Sequence, residues 1–245
     1  MPDYQGHFAT VAPRYDNLRK EETTAEVLEW LAEALRFTGG EAFVDIGCGT
    51  GSTTAALARR FALDAVGVDR SPEMLAAATA QGCVECRFVR GRAESLPLVD
   101  DAFDRALMQT TVHLMDRDRA FPEVRRVLRP DGRLVVFTVD PAGVDDFWLA
   151  EWFPSYAAID RARFPDLETL TGELSRAGFA DTTAQRRTRT MRFTRDRALA
   201  MLRGRFASSF AVISDDEYQA GLARAEREMP ERFTATLPLS IITAR

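Results

Sequence analysis

The sequence predicts an α/β fold, in which helices cover both faces of a doubly wound and mostly parallel β-sheet. Over residues 1–140, short apolar segments typical of buried strands alternate with longer segments of helical periodicity, a pattern that favours parallel strands joined by helices. The first strand-like segment, Ala42–Ile46, runs directly into a glycine-rich turn and then into an Ala- and Leu-rich helix pattern. Such a turn brings bare backbone N–H groups and the positive end of a helix to the carboxyl edge of the sheet, where nucleotides bind.

Length and composition fit one large domain. The chain has 245 residues, of which 46% are apolar and 28% charged, and its formal net charge is −5. We therefore expect a single domain over residues 1–245, either a monomer or a homodimer. The acidic balance argues against nucleic acid as a partner, and no apolar run is long enough to cross a membrane. Three cysteines are too few for a disulfide framework, which favours a reducing, cytoplasmic location.

The spacing of the three glycines narrows the class of nucleotide. The dinucleotide fingerprint is G-x-G-x-x-G, whereas residues 47–51 read G-x-G-x-G, and Ser52 stands where the third glycine would fall. No Lys-Ser or Lys-Thr follows the glycines, which excludes a P-loop. An NAD-dependent oxidoreductase is therefore disfavoured, and we expect Ser52 to lie near the N-cap of the following helix.

Residues 45–51, D-I-G-C-G-T-G, closely resemble motif I of the class I S-adenosylmethionine-dependent methyltransferases. The resemblance is to the small-molecule or quinone-methyltransferase-like subgroup. It implies a seven-stranded sheet in the order 3-2-1-4-5-7-6, with the seventh strand antiparallel. It also implies S-adenosylmethionine as the cofactor and S-adenosylhomocysteine as its product, with cofactor contacts from Asp45, Gly47, Gly49 and Gly51.

The N-terminal segment, residues 1–37, carries a second resemblance. Residues 8–19, FATVAPRYDNLR, resemble the F-x-x-x-A-x-x-Y-D-x-x-R signature of many small-molecule methyltransferases. In that family the segment folds over the cofactor, which implies contacts from Tyr15 and Arg19. Because a guanidinium matches the geometry of a carboxylate, Arg19 is expected to pair with the methionyl carboxylate. The alternative is a frayed terminus with a surface arginine; an amphipathic helix is expected over residues 21–36.

A cofactor-binding core is predicted over residues 38–140, and its second strand ends at Asp69. This acid lies 18 residues beyond Gly51, near the spacing at which α/β proteins present a carboxylate to the ribose hydroxyls. Residues 67–71, GVDRS, match the family's motif II, which implies contacts from Asp69 and Arg70. The family resemblance also places Met74 near the adenine.

Residues 91–97, GRAESLP, resemble the family's G-D-A-E-x-L-P segment, which recognises adenine. The resemblance implies contacts from Ala93 and Glu94. Arg92 stands where the family has an acid, so recognition of the adenine amino group is expected to differ in detail.

The fourth strand is expected over residues 101–108, and Gln109 follows at its carboxyl end, where parallel sheets bind ligands. Gln109 is therefore a further candidate for cofactor binding. His113, one of only two histidines, lies in the same loop. It is either a general base, which would titrate near its unperturbed pKa of about 6.5, or a structural residue that holds the loop.

Two further sequence patterns predict structural features and no functional site. Cys83 and Cys86 form a C-x-x-C pattern, but no second Cys or His pair accompanies it, so structural cysteines are favoured and no metal is expected. Residues 126–137, RVLRPDGRLVVF, resemble the family's motif III and predict a turn before a fifth strand at residues 134–139.

Beyond residue 140 the pattern changes to an unusually aromatic one, FWLAEWFP at residues 147–154. This composition indicates a cap or lid over the substrate side, although a satellite of the core is the alternative. We expect helical cap insertions over residues 141–166 and 194–232, and a final strand over residues 233–244.

The reaction implied by the resemblance is methyl transfer from S-adenosylmethionine to an O, N or C nucleophile of a small-molecule acceptor by in-line displacement. Alignment of the nucleophile with the methyl group supplies much of the catalysis in such a reaction. Two alternatives stay open. One is a protein that binds S-adenosylmethionine or S-adenosylhomocysteine without methylating, and the other is a protein methyltransferase.

Overall fold

The computed structural model describes residues 4–19 and 24–245. The strands found in these residues are β1 (Ala42–Ile46), β2 (Asp64–Asp69), β3 (Cys86–Arg90), β4 (Phe103–Gln109), β5 (Leu128–Val139), β6 (Thr183–Thr194) and β7 (Arg232–Ala244). They form one sheet in the order β3-β2-β1-β4-β5-β7-β6. The first five pair in parallel, and β7 runs antiparallel to both β5 and β6. The predicted seven-stranded sheet, its order and its antiparallel seventh strand are confirmed.

The α-helices of the described residues are α1 (Tyr4–Val11), α2 (Tyr15–Arg19), α3 (Ala25–Leu35), α4 (Ser52–Phe61), α5 (Pro72–Ala80), α6 (Arg117–Val127), α7 (Leu149–Trp152), α8 (Tyr156–Arg163), α9 (Leu167–Arg176), α10 (Arg195–Arg203) and α11 (Asp215–Glu228). Short 3-10 turns lie at Ala12–Arg14, Val112–Leu114, Pro141–Asp146 and Ser208–Ala211.

Both faces of the sheet are buried. Along β1, Phe43 packs into the hydrophobic cluster on one face, whereas Val44 and Ile46 pack into the cluster on the other. Successive side chains of a strand point to opposite faces, so a strand covered on both faces reads as a continuous apolar run. Asp45, Asp69 and Gln109 lie at or beside the carboxyl ends of β1, β2 and β4.

Helix α4 begins at Ser52 and its N-cap is Gly51, so Ser52 lies next to the N-cap, as expected. One local feature differs from the sequence prediction. The turn predicted before the fifth strand lies within β5. The pairing of β4 with β5 is irregular there, since Phe103 pairs with Leu128 but Arg105 pairs with Arg133. Pro130 lies in this irregular part of β5, and a proline cannot donate a ladder hydrogen bond. Helix α3 begins at Ala25, and residues 20–23, where the predicted helix was to start, lie outside the described residues.

The segments predicted as caps, residues 141–166 and 194–232, are called the cap below. Trp148, Trp152 and Phe153 are buried there and share one hydrophobic cluster with side chains of α10 and α11. Trp148 also stacks on Phe206, with ring centroids 5.9 Å apart. The aromatic residues therefore form the interior of the cap.

Cys83 and Cys86 form a disulfide in the loop between α5 and β3. The sequence predicted structural cysteines, too few for a disulfide framework, but it did not predict this bond. The loop lies at the amino end of β3, opposite the carboxyl edge of the parallel strands.

Within residues 4–19 and 24–245, no helix is both long enough and apolar enough to span a membrane. No group of three or more His, Cys, Asp or Glu side chains in this part of the chain is placed to hold a metal ion. The expectation that the protein uses no metal stays a prediction.

Candidate functional site

The three glycines of the turn after β1 serve different purposes. All have positive φ angles, 75° at Gly47, 55° at Gly49 and 69° at Gly51, a region that glycine enters without steric cost. An added Cβ would collide with Thr111 at Gly47 and would lie 2.6 Å from the Phe88 ring at Gly51, but at Gly49 it would meet nothing within 4 Å. Gly47 and Gly49 line a cleft at the carboxyl edge of the sheet. Gly51, which is predicted to contact the cofactor, is not part of that lining. Glycine is needed at this position because φ is positive and because the Phe88 ring leaves no space for a side chain.

Asp69 ends β2 and forms part of the wall of this cleft. Its two carboxylate oxygens accept hydrogen bonds from the backbone N–H groups of Gly49 and Ser71, each at 2.9 Å. Burial raises the pKa of Asp69, and these two hydrogen bonds oppose the shift. A carboxylate oxygen can accept more than one hydrogen bond. Asp69 can therefore hold the glycine turn and also accept hydrogen bonds from the hydroxyls of a ligand.

Asp45, near the carboxyl end of β1, is 2% exposed. Thr54 donates a hydrogen bond to its Oδ2 at 2.6 Å, while Oδ1 is buried with no hydrogen-bond partner among the described residues. Burial raises the pKa of Asp45 to about 7, and the charge of Asp69 contributes to the shift. A buried carboxylate oxygen without a donor fits a cationic or N–H group of a ligand, because that group would satisfy the oxygen and favour the charged form.

The N-terminal segment is fixed to one side of the cleft. Tyr15 packs against a cluster that contains Met74 of α5 and lines the cleft. Asp16 accepts hydrogen bonds from Thr50 Oγ1 in the glycine turn and from Gln81 Nε2, the latter at 2.8 Å. These contacts hold α2 against the glycine turn.

The cleft has two arms. The first arm is lined by residues that the sequence assigned to the nucleoside: Asp69, Arg70, Met74, Ala93 and Glu94. Arg92, which stands where the family has an acid, also lines this arm, and its Nε lies 3.4 Å from Glu94 Oε2. The second arm is lined by Arg19, Asp45 and the glycine turn.

Tyr15, Gln109 and Thr110 line both arms and also a third cavity beneath the cap. Thr110 follows β4 with a φ of 50°, which is unusual for a β-branched residue. Its N–H donates a hydrogen bond to the carbonyl of Phe137 at 2.7 Å, which holds this conformation. Backbone strain of this kind is concentrated at functional sites. The point where the three cavities meet is therefore the candidate reaction site.

The third cavity, called the cap cavity, lies between the cap and strands β5 and β7. Its apolar lining is largely aromatic: Phe8, Tyr15, Phe137, Phe147, Tyr156, Phe164 and Phe206. Four charged side chains join it: Arg19, Asp160, Arg163 and Arg189. An apolar cavity with a few polar groups is typical of small-molecule binding sites.

His113 lies in the cap cavity and in neither arm of the cleft. Its ring packs against Phe164 with centroids 4.0 Å apart, and its Nε2 lies 3.3 Å from Ser208 Oγ. Nδ1 is buried with no hydrogen-bond partner among the described residues. Burial lowers the pKa of His113 well below its ordinary value, and the charges of Arg163 and Arg19 lower it further. The imidazole is therefore neutral near pH 7, and the expected titration near the ordinary value moves to lower pH.

Hydrogen bonds connect His113 to the cap. Arg163 donates to Ser208 Oγ at 3.1 Å and to Asp160 Oδ1 at 2.8 Å. Burial raises the pKa of Asp160, and Arg163 together with hydrogen bonds from Tyr156 and Ser209 opposes the shift. Asp160 therefore holds Arg163 in place beneath the cap.

Sequence reasoning missed Arg163, Arg189 and Ser208. For Arg189 a usable signal existed, since it shares a period of two along β6 with Met191 and Phe193, and all three are buried. An arginine in a row of inward-facing positions indicates a buried charge. Ser208 had no such signal, because its partner His113 is 95 residues away in the sequence.

A seven-stranded sheet in this order, with a glycine turn after β1 and a carboxylate at the end of β2, defines the class I methyltransferase fold. Comparison with known proteins agrees, since residues 44–136 match the family described as a methyltransferase domain. An uncharacterized methyltransferase of Mycobacterium tuberculosis (strain H37Rv) is 41% identical over 109 residues, which are 44% of this chain and 42% of the relative. A demethylmenaquinone methyltransferase of Thermus thermophilus is 35% identical over 143 residues, 55% of this chain and 64% of the relative.

Among solved structures, the [4+2]-cyclase SpnF has the same fold, with a TM-score of 0.67 and 22% identity over 98% of this chain and 94% of that chain. The chain spans less than two thirds of the length of the two curated relatives. The match over residues 44–136 agrees with the resemblance to the class I S-adenosylmethionine-dependent methyltransferases on which the sequence prediction rests.

Proposed function

We propose that the protein transfers a methyl group from S-adenosylmethionine to a small-molecule acceptor bound in the cap cavity. The observation that carries this proposal is the junction at Tyr15, Gln109 and Thr110, where the two arms of the cleft meet the cap cavity. S-adenosylmethionine carries the methyl group on a sulfonium. When the nucleophile takes the methyl group, the sulfur leaves as the neutral thioether of S-adenosylhomocysteine, which is a good leaving group. The name of the Thermus thermophilus relative describes a small-molecule acceptor, which supports the same class of acceptor here.

The polar groups of the cleft match the two ends of that cofactor. In the first arm, Asp69 would accept hydrogen bonds from the ribose hydroxyls, and Met74, Ala93 and Glu94 would surround the adenine. In the second arm, the unpartnered Oδ1 of Asp45 would accept from the methionyl ammonium group, and Arg19 would pair with the methionyl carboxylate.

The chain's own contribution to the reaction would be alignment and the exclusion of water. Aromatic side chains enclose the cap cavity, and a dry site leaves a nucleophile poorly solvated and reactive. An acceptor that arrives protonated also needs a base. His113 is the proposed base, since its imidazole is neutral and its Nδ1 has no hydrogen-bond partner among the described residues.

The test is to incubate the protein with trideuteromethyl-labelled S-adenosylmethionine and a small-molecule extract, and to search the products by mass spectrometry. We expect the labelled methyl group in a small molecule and an equal amount of S-adenosylhomocysteine, with both formed more slowly by the Asp69→Ala variant at a limiting cofactor concentration. Label found only in protein would assign the chain to the protein methyltransferases. Binding of the cofactor without transfer to any compound would favour a non-methylating binder.

A further inference from the structure

We propose that the acceptor is an acid: an apolar molecule of aromatic size whose carboxylate is held by Arg163 and Arg189 in the cap cavity. This inference rests on the proposed function, because it assigns a chemical class to the acceptor of that same site.

The charges that line the cap cavity do not balance. Among the described residues of the lining, two guanidinium groups, those of Arg163 and Arg189, accompany one carboxylate, that of Asp160. His113 adds no positive charge near neutral pH, since burial and the nearby arginines lower its pKa. Arg19 is left out of this balance because it is expected to pair with the methionyl carboxylate, and one positive charge among the other groups is in excess. Excess positive charge in a cavity with apolar walls favours an anionic ligand and disfavours a cationic one.

The charge of Arg189 is weakly compensated by the described residues. Its side chain is 6% exposed, and the ion pair found for it among the described residues joins Nε to Glu26 Oε2 at 3.5 Å, where the Glu26 side chain is 54% exposed. An ion pair of that length with a solvated partner contributes little. Nη2 donates to Thr24 Oγ1 at 3.1 Å, while Nε is buried with no hydrogen-bond partner among the described residues. Because a buried guanidinium is costly unless it is paired, an anion supplied by a ligand would relieve this cost.

Arg163 is the second anchor. Its side chain is 11% exposed and lies over the rings of Tyr4 and Phe164, with its guanidinium carbon 5.4 Å and 5.6 Å from the two centroids. Asp160 and Ser208 accept hydrogen bonds from its Nη2, and the Tyr4 hydroxyl accepts one from Nη1 at 3.2 Å. Its Nε is buried with no hydrogen-bond partner among the described residues. The group is therefore rigid and only partly satisfied.

The remainder of the cavity lining selects the body of the acceptor. It is composed mainly of aromatic and aliphatic side chains: Phe8, Phe137, Val139, Phe147, Phe206, Leu237 and Leu239. Such walls favour a planar or hydrocarbon-rich ligand. Together with the arginines they favour an amphipathic acid over a sugar, an amine or a small polar metabolite.

The test compares naphthoate with naphthamide, its neutral isostere, by calorimetry on the full chain saturated with S-adenosylhomocysteine. We expect naphthoate to bind about tenfold or more tightly than naphthamide, the ratio that one charge-assisted hydrogen bond supplies. The Arg189→Gln and Arg163→Gln variants should each reduce this ratio towards one. The matched controls, Arg192→Gln on β6 and Arg161→Gln on α8, remove exposed arginines of the same elements and should keep it.

Equal binding of the two probes by the unmodified protein, or binding of neither, would overturn the assignment. If the Arg189→Gln variant still prefers naphthoate over naphthamide, another group binds the carboxylate. The Arg189→Gln variant alone is enough for this test if Arg163→Gln does not fold. Saturation with S-adenosylhomocysteine is measured first. Failure at that step contradicts the proposed function, whereas failure at the probe step contradicts only the acid acceptor.

Discussion

The cleft and the cap cavity share Tyr15, Gln109 and Thr110 but are built in different ways. Apart from the N-terminal segment, the predicted cleft residues follow the carboxyl ends of β1 to β4 within a few positions. The cap cavity is instead assembled from α2, the loop after β4, α8, β6 and the turn at Ser208–Ala211. A site assembled at strand ends can be found from local motifs, whereas a site assembled from distant segments cannot.

The two regions also differ in the sign of their unsatisfied charge. The cleft holds the buried carboxylate of Asp45, of which Oδ1 has no hydrogen-bond partner among the described residues. The cap cavity holds the guanidinium groups of Arg163 and Arg189, whose Nε atoms have no hydrogen-bond partner among the described residues. In each region the charge that the protein leaves uncompensated is opposite to that of the proposed ligand group, an ammonium in the cleft and a carboxylate beneath the cap. The variants below test this contrast.

The largest effect is expected at His113, which lines the cap cavity. If it is the base, His113→Gln should lower kcat by about 10²–10⁴-fold and leave the affinity for S-adenosylmethionine unchanged. Because burial and nearby arginines lower its pKa, the wild-type rate should be flat through pH 6.5 and fall only at more acidic pH. The pH–rate profile is the measurement, with His7→Gln as the control, since His7 lies outside the lining of the three cavities. An acid limb that persists in His113→Gln would assign the titration to another group.

A second pair of variants separates packing from binding within the cleft. Gly51→Ala should destabilise the fold by about 2–4 kcal/mol, because it combines left-handed backbone strain with a collision against Phe88. Gly49→Ala faces open space, so its cost in stability should be about 1–2 kcal/mol from strain, with the larger loss in cofactor affinity. Urea unfolding and calorimetry on both variants check this. The reverse ranking would show that Gly51, and not Gly49, borders the cofactor.

Arg19 lies on the boundary between the two regions and lines both. If it binds the methionyl carboxylate, Arg19→Gln should weaken S-adenosylmethionine by about tenfold and leave methylthioadenosine, which lacks that carboxylate, nearly unaffected. Equal losses for the two ligands, measured by calorimetry, would mean that the arginine acts on the fold or on the acceptor side.

A further prediction concerns the stability of the ligand-free protein at Asp45. Its folded-state pKa of about 7 lies above the unfolded value of about 4, so the folded state binds an additional proton between these pH values. Its contribution to stability therefore grows as pH falls from about 7 to about 4, by at most about 1.4 kcal/mol per unit. The lowered pKa values of His7 and His113 oppose this trend, so the informative quantity is the difference between Asp45→Asn and wild type.

Asp45→Asn should be more stable than wild type at pH 8 and should bind S-adenosylmethionine more weakly. Urea unfolding at several pH values measures the first effect and calorimetry the second. A variant less stable than wild type at pH 8 would show that the carboxylate is already satisfied without a ligand.

The fold and most of the cleft could be predicted because their determinants are local. Asp45, Gly47, Gly49 and Asp69 lie in or beside strand ends whose apolar runs are easily recognised, and all four line the cleft. The packing of Phe88 on Gly51 was not predicted, since Phe88 lies 37 positions further along the chain. The contact between His113 and Ser208 was missed for the same reason. Such contacts depend on how the cap packs on the sheet, which periodicity does not encode.

The central claim is that the cleft binds S-adenosylmethionine, and titration calorimetry with S-adenosylmethionine, S-adenosylhomocysteine and NAD tests it most directly. We expect both sulfur nucleotides to bind at one site per chain and NAD not to bind. Asp69→Ala should weaken both by about 1.5–3 kcal/mol, the value of a hydrogen bond to a charged group, whereas Asp64→Ala, at the exposed start of the same strand, should not. Binding of NAD, with none of either sulfur nucleotide, would contradict the account.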